Sequence, residues 1–174
     1  MSYIVVDVES DGPCPGLYSM VSFGAVVVTP ALNETFYGQT RPISDKWMPE
    51  ALAISGITRE QHQAYPHPFE TMKAFREWLR YASKGKPTFI SDNPAFDWQF
   101  INYYFHCYLN ENPFGFSARR IGDLYCGMVK DAGQNKEWKK RFRITKHTHH
   151  PVDDAKGNAE ALLEMKRIGL RILF

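Results

Sequence analysis

Long apolar runs are missing from this sequence: none approaches the ~20 residues that a membrane-spanning helix needs. The opening stretch, MSYIVVDVES, has no basic lead and only a brief apolar segment before Asp7, unlike a secretory signal. Cysteine is scarce. Cys14, Cys107 and Cys126 are odd in number, widely separated and without a CxxC pair, which argues against a disulfide framework and a four-cysteine zinc site. Free thiols in a reducing, cytoplasmic setting are the expectation. Repeats, low-complexity tracts and Ser/Gly linkers are also lacking, so residues 1–174 are expected to form one domain. An apolar share of 44% with 23% charged residues leaves no room for a disordered tail or a collagen-like fibre.

A strong net charge is the remaining absence. The formal total is +2, but it conceals a split: residues 134–150 carry Lys136, Lys139, Lys140, Arg141, Arg143 and Lys146 against Glu137 alone. That segment is +5 and the other 157 residues are −3. A basic patch on a mildly acidic body needs a partner or a purpose.

Periodicity supplies the architecture. Tyr3–Val8 is a β-branched apolar run suited to a central strand, and Asp11–Tyr18 is a loop rich in Gly and Pro. Strands over Met20–Val28 and Glu34–Thr40, joined by a turn at Pro30–Asn33, complete an antiparallel meander. The period then changes. Trp47–Ser55 reads as a short helix stopped by Gly56, and Phe69–Tyr81 as a longer one with Met72, Phe75, Trp78 and Leu79 at helical spacing. Thr88–Ser91 is a strand. Asn93-Pro94 opens a helix with Trp98, Ile101, Phe105 and Leu109 on one stripe. Asp123 is expected to cap another short helix and Asp153 to begin the last, with Ala155, Ala159, Leu162 and Leu163 facing inward. The fold class is α/β: a mixed sheet, meander plus parallel strands, flanked by helices.

Three places carry chemistry. Asp7 and Glu9 end the first strand and share one of its faces. Unpaired there they would carry a large desolvation cost, which a hard cation such as Mg²⁺ or Mn²⁺ would relieve; the alternative is that the strand ends at Asp7 and both acids are solvated. Asp97 lies in the first turn of a helix, where it either acts at the site or only answers the helix dipole. His149-His150-Pro151-Val152-Asp153-Asp154 sets histidines before acids at a helix start, with a plain capping role for the acids as the alternative. Three such positions gather at one edge of an α/β sheet.

Together, Asp7-x-Glu9, Asn93-Pro94-Ala95-Phe96-Asp97 and His149-x4-Asp154-Ala155 resemble the three exonuclease motifs of the DEDDh (DnaQ-like) 3′–5′ exonucleases. That family includes ribonuclease T, oligoribonuclease, proofreading subunits and small stand-alone exoribonucleases. Ser55-Gly56-Ile57-Thr58 and Ile121-Gly122-Asp123-Leu124 add to the likeness, which runs from residue 3 to about 165. The resemblance implies a ribonuclease-H-like fold and two Mg²⁺ or Mn²⁺ ions. Asp7 would bridge them, Glu9 and Asp154 would complete one, Asp97 would hold the other, and His149 would be the general base. Its four-residue spacing selects His149 with Asp154 over the neighbouring pairs.

The expected activity is release of 5′-mononucleotides from the 3′ end of single-stranded nucleic acid, RNA favoured over DNA, with a homodimer plausible. Lys139, Lys140, Arg141, Arg143 and Lys146, in a flexible loop beside the acids, are candidates for holding phosphates. Tyr18 and Phe23 are candidates for stacking bases. The rivals are a DNA exonuclease, a catalytically silent nucleic-acid-binding module, and a zinc-dependent or structural protein. The last rests on His147, His149 and His150 alone, in an H-x-H-H pattern unlike the H-x3-H of helical zinc pairs.

Overall fold

The computed structural model describes residues 2–172. Its organising element is β1, Ser2–Ser10, which pairs antiparallel with β2 (Met20–Val27) on one side and parallel with β4 (Pro87–Ser91) on the other. β3 (Thr35–Gln39) lies outside β2, and the short β5 (Ala118–Arg120) outside β4, giving the order β3-β2-β1-β4-β5. The meander and the parallel half are both as the sequence suggests; the three-residue β5 is too short to leave a periodic signal.

Strand alternation divides two cores. Ile4, Val6 and Val8 enter a layer with Phe23, Met72, Phe75 and Phe100, under α3 (Pro68–Ala82) and α4 (Pro94–Leu109). Tyr3 and Val5 point the other way, toward Ile121, Tyr125, Trp138, Ala155, Ala159 and Leu162. That second layer belongs to α5 (Ile121–Val129), α6 (Glu137–Phe142) and α7 (Pro151–Arg167). Asp7 and Glu9 continue the second set, so they emerge on the face that α7 covers. The meander reaches the parallel half through α1 (Pro49–Ile54) and α2 (Arg59–Gln63). A capping box between Thr58 and Gln61 fixes the start of α2, an element too short for periodicity to show.

One close approach seats α7. Asp7 lies opposite Gly24, and a Cβ at Gly24 would collide with the backbone of Pro151. Only glycine lets the first turn of α7 rest on the sheet beside Asp7. The helix starts at Pro151 rather than Asp153, which sits within its first turn, and likewise Asp123 lies inside α5 instead of capping it. Proline at the first position explains the earlier start, since its fixed φ and missing N–H suit that place.

Residues 134–150 differ most from expectation. They are not one flexible loop: residues 137–142 form α6, anchored by a fully buried Trp138 whose indole N–H donates to the Asn135 carbonyl. No helix among the described residues is long and apolar enough to cross a membrane.

Candidate active site

β1 runs past both of its acids. Glu9 is still paired with Ser22, and the register slips only after it, to Ser10 opposite Met20. The strand therefore does not end at Asp7, and neither acid is simply solvated. Asp97, 4% exposed at the start of α4, aims its Oδ1 at the Val8 N–H (3.1 Å), between the two strand acids. Asp154 comes from the first turns of α7 and is 1% exposed. Ligand oxygens of Asp7, Glu9 and Asp154 all lie within 4.8 Å of one another.

The electrostatics follow from that crowding. Burial, then Asp97, Glu9 and Asp154 in turn, raise the Asp7 carboxyl well above the ordinary range, against which Arg143 is the lowering influence. Burial with Asp154 and Asp97 pushes Glu9 up to about 7. Asp97 is also pushed to about 7, mainly by burial, although the Val8 N–H works the other way. A cluster of acids that resists ionising is what a divalent cation would relieve, and an all-oxygen donor set suits Mg²⁺ or Mn²⁺.

Asp154 is held from several sides. Arg143 Nη2 and His147 Nδ1 reach Oδ1 at 3.0 and 2.8 Å, and the Thr148 N–H donates to the same oxygen at 3.2 Å. The His149 N–H donates to Oδ2 at 3.0 Å. Arg143 reaches across α7 because residue 157 is glycine; a Cβ there would lie 2.6 Å from its Nε. His149 itself has φ 60°, in the left-handed region, and its Nδ1 faces Glu9 Oε1 at 3.8 Å. His150 turns away, its ring tilted against Tyr37 and facing Asp153.

The structure brings Asp7, Glu9, Asp97, His149 and Asp154 to one end of the sheet. It divides the remaining candidates. Phe23 is fully buried in the core against Phe36 and Phe75, so it cannot stack a base; alternation sends it to the interior face. Tyr18 is half-buried with its ring laid over Gly12. Lys139 pairs with Asp92, Arg141 donates to the Tyr125 hydroxyl, and Arg143 is spent on Asp154. Lys140 and Lys146 stay exposed, and with Lys139, Arg143 and His147 they line an open cleft of about 370 Å³.

Two features escape the sequence reading. A cleft of about 330 Å³ opens beside Glu9, walled by Met48, Ala51, Ile54 and Phe96 and floored by Gly12 and Pro13. The exposed apolar residues of the short α1 were its one signal. Behind it, Asp11 is fully buried and ion-paired to Arg59 at 2.8 Å, with His62 Nδ1 at 3.7 Å. Asp11 also accepts from the Ser19 N–H, its carbonyl accepts from Met48, and Arg59 donates to the Ser44 carbonyl. This knot ties the loop after β1 to the wall of the cleft.

Residues 2–165 match the Rv2179c-like domain, described as a 3′-5′ exoribonuclease domain. The chain belongs to that family. It is 35% identical over 169 residues to the 3′-5′ DNA exonuclease Cap18 of Escherichia coli, an alignment covering 95% of this chain and 90% of that one. Its fold matches the nuclease domain of 3′hExo, a DEDDh family member whose structure holds rAMP, at TM-score 0.79 and 20% identity, covering 99% of this chain and 96% of the other. It also matches zinc-bound E. coli ExoI in complex with ssDNA, at TM-score 0.72 and 17% identity, covering 97% of this chain and 41% of that protein. At those identities the two structures speak for the fold, a DEDDh nuclease domain of the ribonuclease-H-like kind. Family and fold agree with the motif resemblance: this Rv2179c-like domain is a 3′–5′ exonuclease.

Proposed function

We propose that the chain removes 5′-mononucleotides one at a time from the 3′ end of single-stranded nucleic acid, with RNA the favoured substrate. The observation that carries this reading is the convergence of Asp7, Glu9 and Asp154 within 4.8 Å, with buried Asp97 beside them. Two divalent cations of the Mg²⁺ or Mn²⁺ class, held by these four acids, would supply the positive charge that steadies the phosphoryl group and the leaving 3′-oxygen.

The residues of the chain do the rest. His149 accepts the proton of the attacking water, and Glu9, facing its Nδ1 at 3.8 Å, stabilises the imidazolium that results. The apolar cleft beside Glu9 takes the terminal nucleoside between Phe96 and the Met48–Ile54 wall. Lys140 and Lys146, exposed in the cleft that His147 also lines, attract the phosphates upstream. The buried Asp11–Arg59 pair, with the Met48 N–H donating to the Asp11 carbonyl, fixes the cleft wall relative to Glu9.

The family description favours RNA, whereas the identity to Cap18 favours DNA as a second reading. One assay separates them: 5′-labelled single-stranded RNA and DNA of the same sequence, with Mn²⁺ or with chelator. A metal-dependent ladder shortening from the 3′ end, faster on RNA, is expected. Faster shortening of DNA selects the second reading, and intact substrate in every metal condition overturns both.

A further inference from the structure

Asp154 belongs to two clusters at once. On the strand side it meets Asp7 and Glu9; on the loop side one of its oxygens and one ring nitrogen from each of His147 and His149 lie within 4.8 Å of one another. The two sides offer different chemistry, three carboxylates on one and two imidazoles with a single carboxylate on the other. Hard oxygen sets suit Mg²⁺ and Mn²⁺, while a His-His-Asp set suits Zn²⁺ and its neighbours in the divalent series.

We propose that His147, His149 and Asp154 form a second, zinc-selective metal site whose occupation switches the nuclease off. The inhibitory half of this proposal rests on the roles given above to His149 and Asp154; the binding half does not.

An H-x-H pair on a helix could not converge in this way, but the segment is not helical. The left-handed φ of 60° at His149 folds the chain back, leaving the His147 and His149 rings 4.2 Å apart and edge to face. His147 Nδ1 lies 2.8 Å from Asp154 Oδ1, a hydrogen-bond separation that would have to open only to about 3.3 Å to match two ligands on one tetrahedral Zn²⁺.

The loop is held at both ends. Glu160 accepts from the Ile144 and Thr145 N–H groups and from the Thr145 hydroxyl, at 2.8–2.9 Å. Asp154 accepts from the Thr148 and His149 N–H groups. Two histidines on a tethered loop lose little freedom on binding, which separates them from a chance pair on a mobile surface. His150, turned toward Tyr37 and Asp153, stands outside the set.

The consequence follows from sharing. A cation on the loop side engages the lone pair with which His149 would accept a proton. It also draws Asp154 away from the carboxylate cluster. Glu9 Oε1, 3.8 Å from His149 Nδ1, or a water is placed to complete the coordination.

The test uses the full chain free of substrate and of Mg²⁺ or Mn²⁺. Zn²⁺ is titrated in competition with a chromophoric chelator, and Co²⁺ serves as an optical reporter of nitrogen ligation. Counting only the nitrogen-ligated ion that the Co²⁺ spectrum reports, and not a cation on the Asp7 carboxylates, wild type, His150→Asn and Asp7→Asn should bind alike, and His147→Asn should bind it at least ~10-fold more weakly. The same proteins apart from Asp7→Asn are then assayed with Mn²⁺ and rising Zn²⁺, each normalised to its own uninhibited rate. His147→Asn should need at least ~10-fold more Zn²⁺ for half-inhibition. Unaltered Zn²⁺ binding in His147→Asn, or its loss in Asp7→Asn, would overturn the site. Zn²⁺ bound at the histidines with undiminished hydrolysis would overturn the switch. A chain inert under every metal condition would count against the exonuclease reading, while the optical titration would still decide the binding.

Discussion

Two acids four residues apart on the same stretch of chain have opposite surroundings. Asp11 has its own cation: Arg59 at 2.8 Å, together with the Ser19 N–H, answers its charge. Asp7 faces three more carboxylates, and among the described residues Arg143 is the cation that opposes them, itself paired to Asp154. The first arrangement is complete as it stands and serves the fold. The second is incomplete without added positive charge, and that deficit is what the proposed activity would use. Perturbed acids that lack an internal partner point to function more strongly than buried acids in general.

Substitution should separate the two regions most sharply. Asp7→Asn, an isosteric change that removes one repelling charge, should lower kcat by about 10³-fold or more in a Mn²⁺ assay. In chelator the same variant should melt higher than wild type. Arg59→Met should do the reverse, since breaking a buried pair strands Asp11: stability falls by about 3 kcal/mol, read by urea denaturation, while kcat at low temperature stays near wild type and KM rises. An Asp7→Asn protein that melted lower in chelator would erase the distinction.

The pH dependence of stability has opposite sign in the two places. Glu9 and Asp97 rise from ordinary values of 4.5 and 3.8 to about 7, so the native state keeps protons that the unfolded chain has already released. Stability from these groups is full below about pH 4 and is lost as pH climbs through 7. His62 is depressed from 6.5 to about 4, chiefly by burial, so its contribution is present above 6.5 and is lost as pH falls toward 4. Burial raises Asp11 as well, in the same sense as Glu9 but independently of metal. The two trends overlap between pH 4 and 7 with opposite slopes, so saturating Mn²⁺ should remove the fall that the carboxyls cause and leave the rise of stability with pH that His62 supplies. Denaturation curves with and without Mn²⁺ across this range check the change of slope.

The smallest effect is expected at Gly157. An added methyl would push against Arg143 and the Thr145 carbonyl, an overpacking cost of about 1–3 kcal/mol, but alanine returns about 1 kcal/mol of helix propensity. Gly157→Ala should cost about 1 kcal/mol net in chelator and less with Mn²⁺ bound, when Arg143 no longer carries the cluster alone.

Much of this was legible in the sequence because it is local. Alternation along β1 put Asp7 and Glu9 on one face, Asn93-Pro94 announced α4 and hence the place of Asp97, and motif spacing selected His149 with Asp154. What escaped depends on contacts between distant segments. Phe23 looked available beside the first loop, yet its strand parity sends it into the core. Arg143 was counted with the surface cations, but it reaches Asp154 only because residue 157 lacks a Cβ. The Asp11–Arg59 pair spans 48 positions with no pattern to advertise it. The H-x-H-H run was judged by helix geometry, and a single left-handed residue at His149 made that geometry irrelevant.

The central claim is that the Asp7 cluster is short of positive charge and is completed by a divalent cation. Calorimetric titration of Mn²⁺ at about pH 6.5, in two buffers of different ionisation enthalpy, tests it directly. Binding should release protons from the carboxyls held near 7, and Asp7→Asn should lose the binding while Arg59→Met keeps it. Mn²⁺ that bound without proton release, or that bound Asp7→Asn as tightly as wild type, would contradict it.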